Sequence, residues 1–484
     1  MAAKEFIVAI EFGSSKMTGI AGKKNLDGSI TVLAVTTENS SAFIKKGVVY
    51  NIDKTAQCIT NIIKKLETTL KTHITQVFVG VGGQSIISVK NNIVNEFEQP
   101  TKVTQNIIDD MADANRNMVY PDKEILDATA QEFLVDNQQQ IDPVGIECKH
   151  LEGSFLNILE RRSFYSNLNK CFDTAGINVA DMYLAPFALA DSVLTEAEKR
   201  SGCALVDIGA DTTTVAVYFR NILRHLAVIP LGSANVTKDI MSLQIEEEEA
   251  EKMKLKYGNA WTDDKDIDEN LKYPIDSDRE VDSIKFIEIV ECRMEEIIKN
   301  AWSQIQLSEF SEKLLGGIVI TGGGSNMKNI EKAFNIHTKV EKIRIAKFVT
   351  HTIDSNNPLI TNHNGTMNTV LALLSRGEQN CAGVPLSMQN DMFGGNDATT
   401  TTEIHNKPPR QANEIAPGVV RTEAEKQAAE EEARRRKEAE EKAKQEAEEA
   451  ERQRLEEERK QNSFFNKMKK KTKNFFENMI KEED

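Results

Sequence analysis

Leu205-Val206-Asp207-Ile208-Gly209-Ala210-Asp211-Thr212-Thr213-Thr214-Val215-Ala216-Val217 reads as an apolar strand ending in an acid, a tight turn of small and hydroxyl residues, and a second strand. Such a turn lets backbone N–H groups and hydroxyls approach a phosphate, while the acid at the strand end can hold a hydrated metal. The same pattern stands near the N-terminus as Val8-Ala9-Ile10-Glu11-Phe12-Gly13-Ser14-Ser15-Lys16. On its own, that first copy is explained equally well by an ordinary β-hairpin with Gly13 in its turn. Two copies of one unusual hairpin suggest two similar halves facing a shared phosphate.

Downstream, Gly317-Ile318-Val319-Ile320-Thr321-Gly322-Gly323-Gly324-Ser325-Asn326 reads as a buried strand opening into three glycines and a helix. Consecutive glycines allow positive φ and leave no side chain between the backbone and a flat ligand. A glycine triplet alone is more often a turn, and its place after the two hairpins is what singles it out. From residue 5 to about 375, strand-like runs alternate with helical patterns, the sequence sign of α/β layering. The clearest strands are Phe6–Ile10, Gln76–Val81, Cys203–Asp207, Val215–Phe219 and Gly317–Thr321, and the clearest amphipathic helices are Thr55–Leu70 and Ile284–Ile305. Ala260–Asp282, rich in Asp, Asn and Pro, reads as an exposed loop.

The 484 residues allow several domains, and 40% hydrophobic residues support a sizeable core. A net charge of −15 argues against binding nucleic acid or anionic lipid over the whole surface, so any basic function must be local. The six cysteines are scattered, with no C-x-x-C and no His at zinc spacing, so neither a disulfide framework nor a metal centre is indicated. Phe6–Ile10 is too short for a signal-peptide core, and no run approaches the length of a membrane span, so a cytoplasmic protein is expected.

The end of the chain changes character twice. Residues 378–422, with Asn, Thr and Pro and almost no apolar periodicity, read as a flexible linker. Residues 423–460 are Glu, Ala, Lys and Arg, with Glu430 and Arg434, Glu431 and Arg435, and Glu438 and Lys442 among pairs at i,i+4 that support a solvated helix. They lack an apolar seam for a coiled coil and are expected to act as a spacer, about 55 Å long if fully helical at 1.5 Å per residue. In residues 461–484 a helix would gather Phe464, Phe465, Met468, Phe475, Phe476, Met479 and Ile480 on one face, with Lys469 and Lys470 among the flanking lysines. A helix packed on the body or on a partner is the plainer reading of that apolar face. The basic flank favours a membrane surface, because each Lys near an anionic leaflet contributes about 1 kcal/mol and the Phe burial adds several more.

Two phosphate hairpins and a later adenosine loop, in this order, resemble the actin, Hsp70 and sugar-kinase ATPase superfamily. The likeness is closest to the FtsA family of bacterial division proteins, through Leu223-Arg224-His225-Leu226-Ala227-Val228-Ile229-Pro230-Leu231-Gly232, Lys238-Asp239-Ile240 and Ala250-Glu251-Lys252-Met253-Lys254-Leu255-Lys256-Tyr257-Gly258. It covers about residues 5–375. The resemblance implies an actin-like α/β fold of two similar halves around a nucleotide cleft: residues 1–83 with 164–202, and 203–230 with 313–377. An FtsA-type subdomain is expected at 84–163 and another at 231–312.

It also implies ATP and Mg²⁺ as ligands. Gly13, Ser14, Ser15, Lys16, Gly209, Thr212 and Thr213 would then surround the phosphates, and Glu251, Lys254, Gly322, Gly323 and Gly324 the adenosine. Glu11 and Asp207 would hold the metal through water, with Asp207 also positioning the attacking water. Glu11 stands where most of the superfamily has Asp, and Ala210 and Asp211 replace the usual glycines, so slow hydrolysis is expected and the chain is not read as a metabolic enzyme. Family behaviour further implies membrane-bound polymers built through 84–163 and work with other division proteins at the septum. The C-terminal peptide of FtsZ would bind at 231–312, where Lys285, Arg293 and Lys299 are the basic candidates. A pilus-assembly scaffold would share the body and a small-molecule kinase the hairpins, but neither explains the spacer and basic tail.

Overall fold

The computed structural model describes residues 5–268, 270–276, 279–385 and 416–421, with Glu425, Lys426, Glu431, Arg434, Arg435 and Lys442 of the tail. Within the body two sheets follow one plan. In the first half Ile7–Phe12 pairs antiparallel with Lys16–Lys24, which pairs antiparallel with Ile30–Asn39. On the other side of Ile7–Phe12 lie Gln76–Val81 and then Asn178–Leu184, both parallel. In the second half Cys203–Ile208, Thr213–Phe219 and Ile222–Ile229 repeat the antiparallel trio, and Gly317–Thr321 and Ile343–Ile345 repeat the parallel pair. Each sheet therefore runs third, second, first, fourth, fifth. Parallel neighbours need a crossover, and the two halves are elaborated at different crossovers.

In the first half the crossover from the third to the fourth strand is the helix Ile52–Leu70. Its apolar residues recur at helical spacing, so Ile59, Ile62, Ile63 and Leu66 face the sheet and are buried. The Asn51 side chain caps its start by accepting from the Lys54 N–H at 2.9 Å. The matching crossover of the second half is a subdomain with helices Ser233–Ile240, Glu247–Tyr257 and Ser283–Leu307. Ser283–Leu307 buries Phe286, Val290, Met294, Ile297, Ala301 and Ile305 along one stripe. The stretch 260–282 is not simply an exposed loop: Lys272–Pro274 pairs with Glu280–Asp282, and Tyr273 stacks on Tyr257 with centroids 4.3 Å apart. Most of its described residues are exposed, as its polar composition suggests, and Tyr273 and Val281 supply the contacts that order it.

The first half carries its elaboration between the fourth and fifth strands. Ile87–Lys102, Lys123–Val135, Gln138–Gln140 and Glu147–Arg161 form an antiparallel sheet with the helix Gln105–Arg116 against it. Met111, Phe133, Val135, Leu151 and Phe155 give this module its own small core. Its sheet joins that of the second half where Ile87 pairs with Ala227. Arg224, 4% exposed, reinforces the join through an ion pair to Glu132 at 3.0 Å.

The segment expected to be a flexible linker is attached to the body at both ends. Ala382–Pro385 pairs with Thr72–Ile74, and Val419–Val420 pairs with Met182 and Tyr183. Apolar side chains explain this: Val419 and Val420 are buried in the first-half core. The six described tail residues are helical, and Arg435 donates to Glu431 at 2.8 Å. The amphipathic segment 461–484, including Phe464, Phe465, Met468, Lys469, Lys470, Phe475, Phe476, Met479 and Ile480, lies outside the described residues. No helix among the described residues is long and apolar enough to cross a membrane.

Candidate nucleotide cleft

Both acid-tipped strands end at corresponding places of their sheets. Glu11 lies beside Thr18 in the hairpin and beside Gly80 in the parallel neighbour. Asp207 lies beside Thr214 and Thr321. Burial pushes the Glu11 carboxyl up to about 7, with Lys16 opposing the rise and Asp207 adding to it. Burial likewise raises Asp207 to about 6. The two carboxyls are thus close enough to repel, and neither has a hydrogen bond or ion pair among the described residues. Thr18, opposite Glu11 and 1% exposed, has a hydroxyl that also finds no partner.

The turns after these strands are held by different means. In the first, buried Ser40 donates its hydroxyl to the Gly13 carbonyl at 2.6 Å and its N–H to the Ser15 carbonyl at 3.1 Å. Ser14 accepts from the Gly47 N–H at 2.8 Å, and its own proton remains available. In the second, the Gly209 N–H closes the turn onto the Thr212 carbonyl at 2.8 Å. The N–H groups of Ser233 and Ala234, which open a helix, donate to the Gly209 and Ala210 carbonyls at 2.9 and 2.8 Å. A side chain at Gly232 would collide there, since a Cβ would lie 2.4 Å from the Ala210 carbonyl oxygen.

Each turn is left with a run of backbone N–H groups that have no partner among the described residues: Gly13, Ser14 and Ser15 in one, Ala210, Asp211 and Thr212 in the other. Backbone donors rarely stay unused, and successive ones form an anion-binding nest. Ser15 and Lys16 stand at the exposed and half-exposed rim of the first turn. The second turn also touches the first half, because the Lys46 N–H donates to Asp211 Oδ2 at 3.2 Å. Asp211 therefore reaches toward the other half.

The three glycines differ in role. Gly322 has φ 84°, and a Cβ there would lie 2.3 Å from Asp207 Oδ1. A Cβ on Gly324 would meet the Ile208 side chain at 2.3 Å, so both glycines permit close packing against the second hairpin. Gly323 alone has open space, its nearest neighbour being Thr366 Cγ2 at 3.6 Å. Of the three, it is the one with room for a group above its backbone. Asn326 ties the loop to the Asn364 carbonyl at 2.8 Å.

Three of the sequence-predicted residues are differently employed. Thr213 is buried and donates its hydroxyl to the Leu231 carbonyl at 2.9 Å, so strand alternation turns it away from a phosphate and leaves Thr212 at the turn. Lys254 is 7% exposed and is bonded to Glu251 at 2.7 Å, Thr237 Oγ1 at 2.9 Å and the Ser233 carbonyl at 3.2 Å. Glu251 in turn accepts from Thr237 at 2.6 Å. In this arrangement the pair secures the helix that abuts the second turn. Ser40 and the Lys46–Gly47 turn were not visible in the sequence, because nothing local to them marks contacts with loops far away along the chain.

Two unpartnered carboxyls beside two N–H nests fit a hydrated Mg²⁺ and the phosphates of a nucleotide. Among the described residues no group of three or more acids, His or Cys could itself enclose a metal.

Comparison with known proteins agrees with this anatomy. The family model for cell division protein FtsA matches residues 204–362, and that for the SHS2 domain inserted in FtsA matches residues 83–159. Cell division protein FtsA of Porphyromonas gingivalis is 33% identical over 359 residues, 72% of this chain and 74% of that one. The Pseudomonas aeruginosa protein is 32% identical, covering 67% of this chain and 79% of its own. Among solved structures, a PilM–PilN type IV pilus biogenesis complex aligns with a TM-score of 0.55 at 14% identity, over 77% of this chain and 98% of that one, a likeness of fold. With its duplicated actin-like halves and its inserted module, the chain belongs to the FtsA family of cell division proteins.

Proposed function

We propose that this cell division protein binds ATP with Mg²⁺ between its two hairpins, polymerises on the cytoplasmic face of the membrane and tethers the FtsZ ring there during septum assembly. The observation that carries the nucleotide reading is the pair of N–H nests with Glu11 and Asp207 beside them. Gly13–Ser15 and Ala210–Thr212 would hold phosphate oxygens, Lys16 would add positive charge, and Gly323 would lie against the adenosine. Glu11 and Asp207 would orient the water shell of Mg²⁺, whose chemistry is to neutralise charge on the phosphates. Glu11 where most of the superfamily has Asp, and Ala210 and Asp211 where it has glycines, support slow hydrolysis.

For FtsZ, an open groove of about 440 Å³ lies between the helices Ser233–Ile240 and Ser283–Leu307. Lys238, Ile289 and Arg293 line it together with Asp239, Glu288 and Glu296, so a peptide carboxylate would have to meet Lys238 or Arg293 in a lining of mixed charge. Of the three basic candidates Arg293 alone lines the groove, and Asp239 already holds it at 2.5 Å. Lys299 pairs with Glu295 on its own helix, and Lys285 is exposed and not among the lining residues. The membrane tether rests on the Phe and Lys pattern of residues 461–484.

Co-sedimentation with anionic vesicles and FtsZ, with and without ATP, tests the whole reading. The parent should carry FtsZ to the vesicles, and replacing Phe475 and Phe476 by Glu should abolish this while ATP binding persists. Vesicle binding unchanged by that double substitution would remove the tether.

A further inference from the structure

The short segment before the charged spacer is fastened to the body by contacts of several kinds. Val419 and Val420 add an antiparallel strand to the edge of the first-half sheet, opposite Tyr183 and Met182. The Leu184 N–H donates to the Gly418 carbonyl at 2.7 Å, and the Tyr165 hydroxyl to the Arg421 carbonyl at 3.0 Å. Arg376 donates to the Pro417 carbonyl at 3.4 Å. The inserted module takes part as well: Asp127, on its strand Lys123–Val135, accepts from the Gly418 N–H at 2.8 Å. Gly418 has φ 82°, and a Cβ there would lie 2.8 Å from the Phe187 side chain, so only glycine passes this point unstrained. Val419 and Val420 are 5% and 1% exposed.

A free sheet edge invites pairing, and a buried apolar strand added to it supplies both backbone hydrogen bonds and side-chain contacts. We propose that residues 417–421 are a clip that fastens the tail at the seam between the first half and the inserted module. The tether to the membrane then starts at Thr422, and residues 386–415 form an excursion closed at both ends that adds nothing to its reach. The other end of that excursion is fixed where Ala382–Pro385 pairs with Thr72–Ile74. Because Asp127 belongs to the module and Met182 to the first half, tension on the tail bears on both at once. The reach part of this proposal rests on the membrane tether proposed above, and the clip does not.

The clip is tested on the full chain without lipid by amide hydrogen exchange. Gly418–Val420 should exchange at least tenfold more slowly in the parent than in Val420→Asp, with the strand Ile7–Phe12 equally protected in both. Equal exchange of Gly418–Val420 in the two proteins overturns the clip. Gly418→Leu, which acts through backbone and Phe187 instead of charge, should give the same loss.

Reach is tested by energy transfer from a dye on Cys292, the exposed cysteine, to acceptor lipids in phosphatidylglycerol vesicles. Shortening 386–415 by half should leave the distance unchanged, whereas removing the same number of residues from 424–460 should reduce it. In Val420→Asp the first deletion should also reduce it. A parent whose distance falls with the first deletion overturns the closed excursion. A parent that does not bind vesicles removes the tether reading and leaves the exchange result standing.

Discussion

The two hairpins are built on one strand plan and held by opposite strategies. The second turn is secured by residues that follow it in one contiguous run: Leu231 accepts from Thr213, Gly232 allows close approach, and Ser233 and Ala234 bind the turn carbonyls. The first turn is secured by Ser40 and Gly47, delivered by a different strand end and a different turn. Duplicated topology fixes where the acids stand, while their anchors are free to differ. The second anchor is consequently redundant, and the first depends on single side chains.

That contrast can be broken most severely at Gly322, which serves the second hairpin and has no counterpart touching the first. Gly322→Val places a branched side chain at φ 84° and against Asp207, adding on the order of 3 kcal/mol of strain and overlap. Urea denaturation should show a loss of that size, and ATP binding should fall beyond detection. Next in size is the comparison of Ser40→Ala with Ser233→Ala. Removing the buried Ser40 hydroxyl orphans the Gly13 carbonyl and should cost about 1–2 kcal/mol. Ser233→Ala keeps both backbone bonds to the second turn and should cost under about 0.5 kcal/mol. Equal losses in the same denaturation experiment would end the claim of unequal redundancy.

A smaller effect is expected at Asp211, where the halves meet. Asp211→Gly removes the acceptor for the Lys46 N–H and should speed release of a fluorescent ATP analogue severalfold in stopped flow. Asp211→Asn retains an oxygen acceptor and should release at the parent rate. If the two variants behave alike, charge near the phosphates is at work instead of the cross-cleft bond.

A further effect is on pH dependence without nucleotide. Glu11 is raised from 4.5 to about 7 and Asp207 from 3.8 to about 6. A raised carboxyl binds its proton more tightly when folded, so its contribution is complete below the unfolded value and is lost as pH rises through the folded one. Glu11→Gln should therefore flatten the stability profile between about pH 4.5 and 7, and Asp207→Asn between about pH 4 and 6. Melting temperatures across that range would show whether each variant flattens its own part of these overlapping windows.

Much of this architecture was legible in the residues because strand and helix periods are local. Gln76–Val81 and Gly317–Thr321 match their expected bounds, Ile52–Leu70 starts three residues before the expected helix, and Ser283–Leu307 starts one residue earlier and ends two later. The acids, the turns and the glycines were legible for the same reason. Thr213 was misdirected because its hydroxyl type suited a phosphate, while its place in the strand turned it to Leu231. Lys254 was legible as a family residue, but its partners Glu251, Thr237 and Ser233 depend on how two helices pack. The docking of Val419–Val420 was hidden by the polar composition around it, since two apolar residues in a polar stretch carry no period.

The most direct test of nucleotide binding between the hairpins is calorimetric titration of ATP with Mg²⁺ into the parent and into Gly323→Trp. Gly323 is the glycine of the triplet with open space above it, so an indole there fills the proposed adenosine position, whereas a side chain at Gly322 or Gly324 would meet Asp207 or Ile208. The account predicts saturable binding of one nucleotide per chain in the parent and none in the variant, with unchanged melting temperatures in the absence of nucleotide. A parent that binds no ATP, or a Gly323→Trp protein that binds it as tightly as the parent, would contradict it.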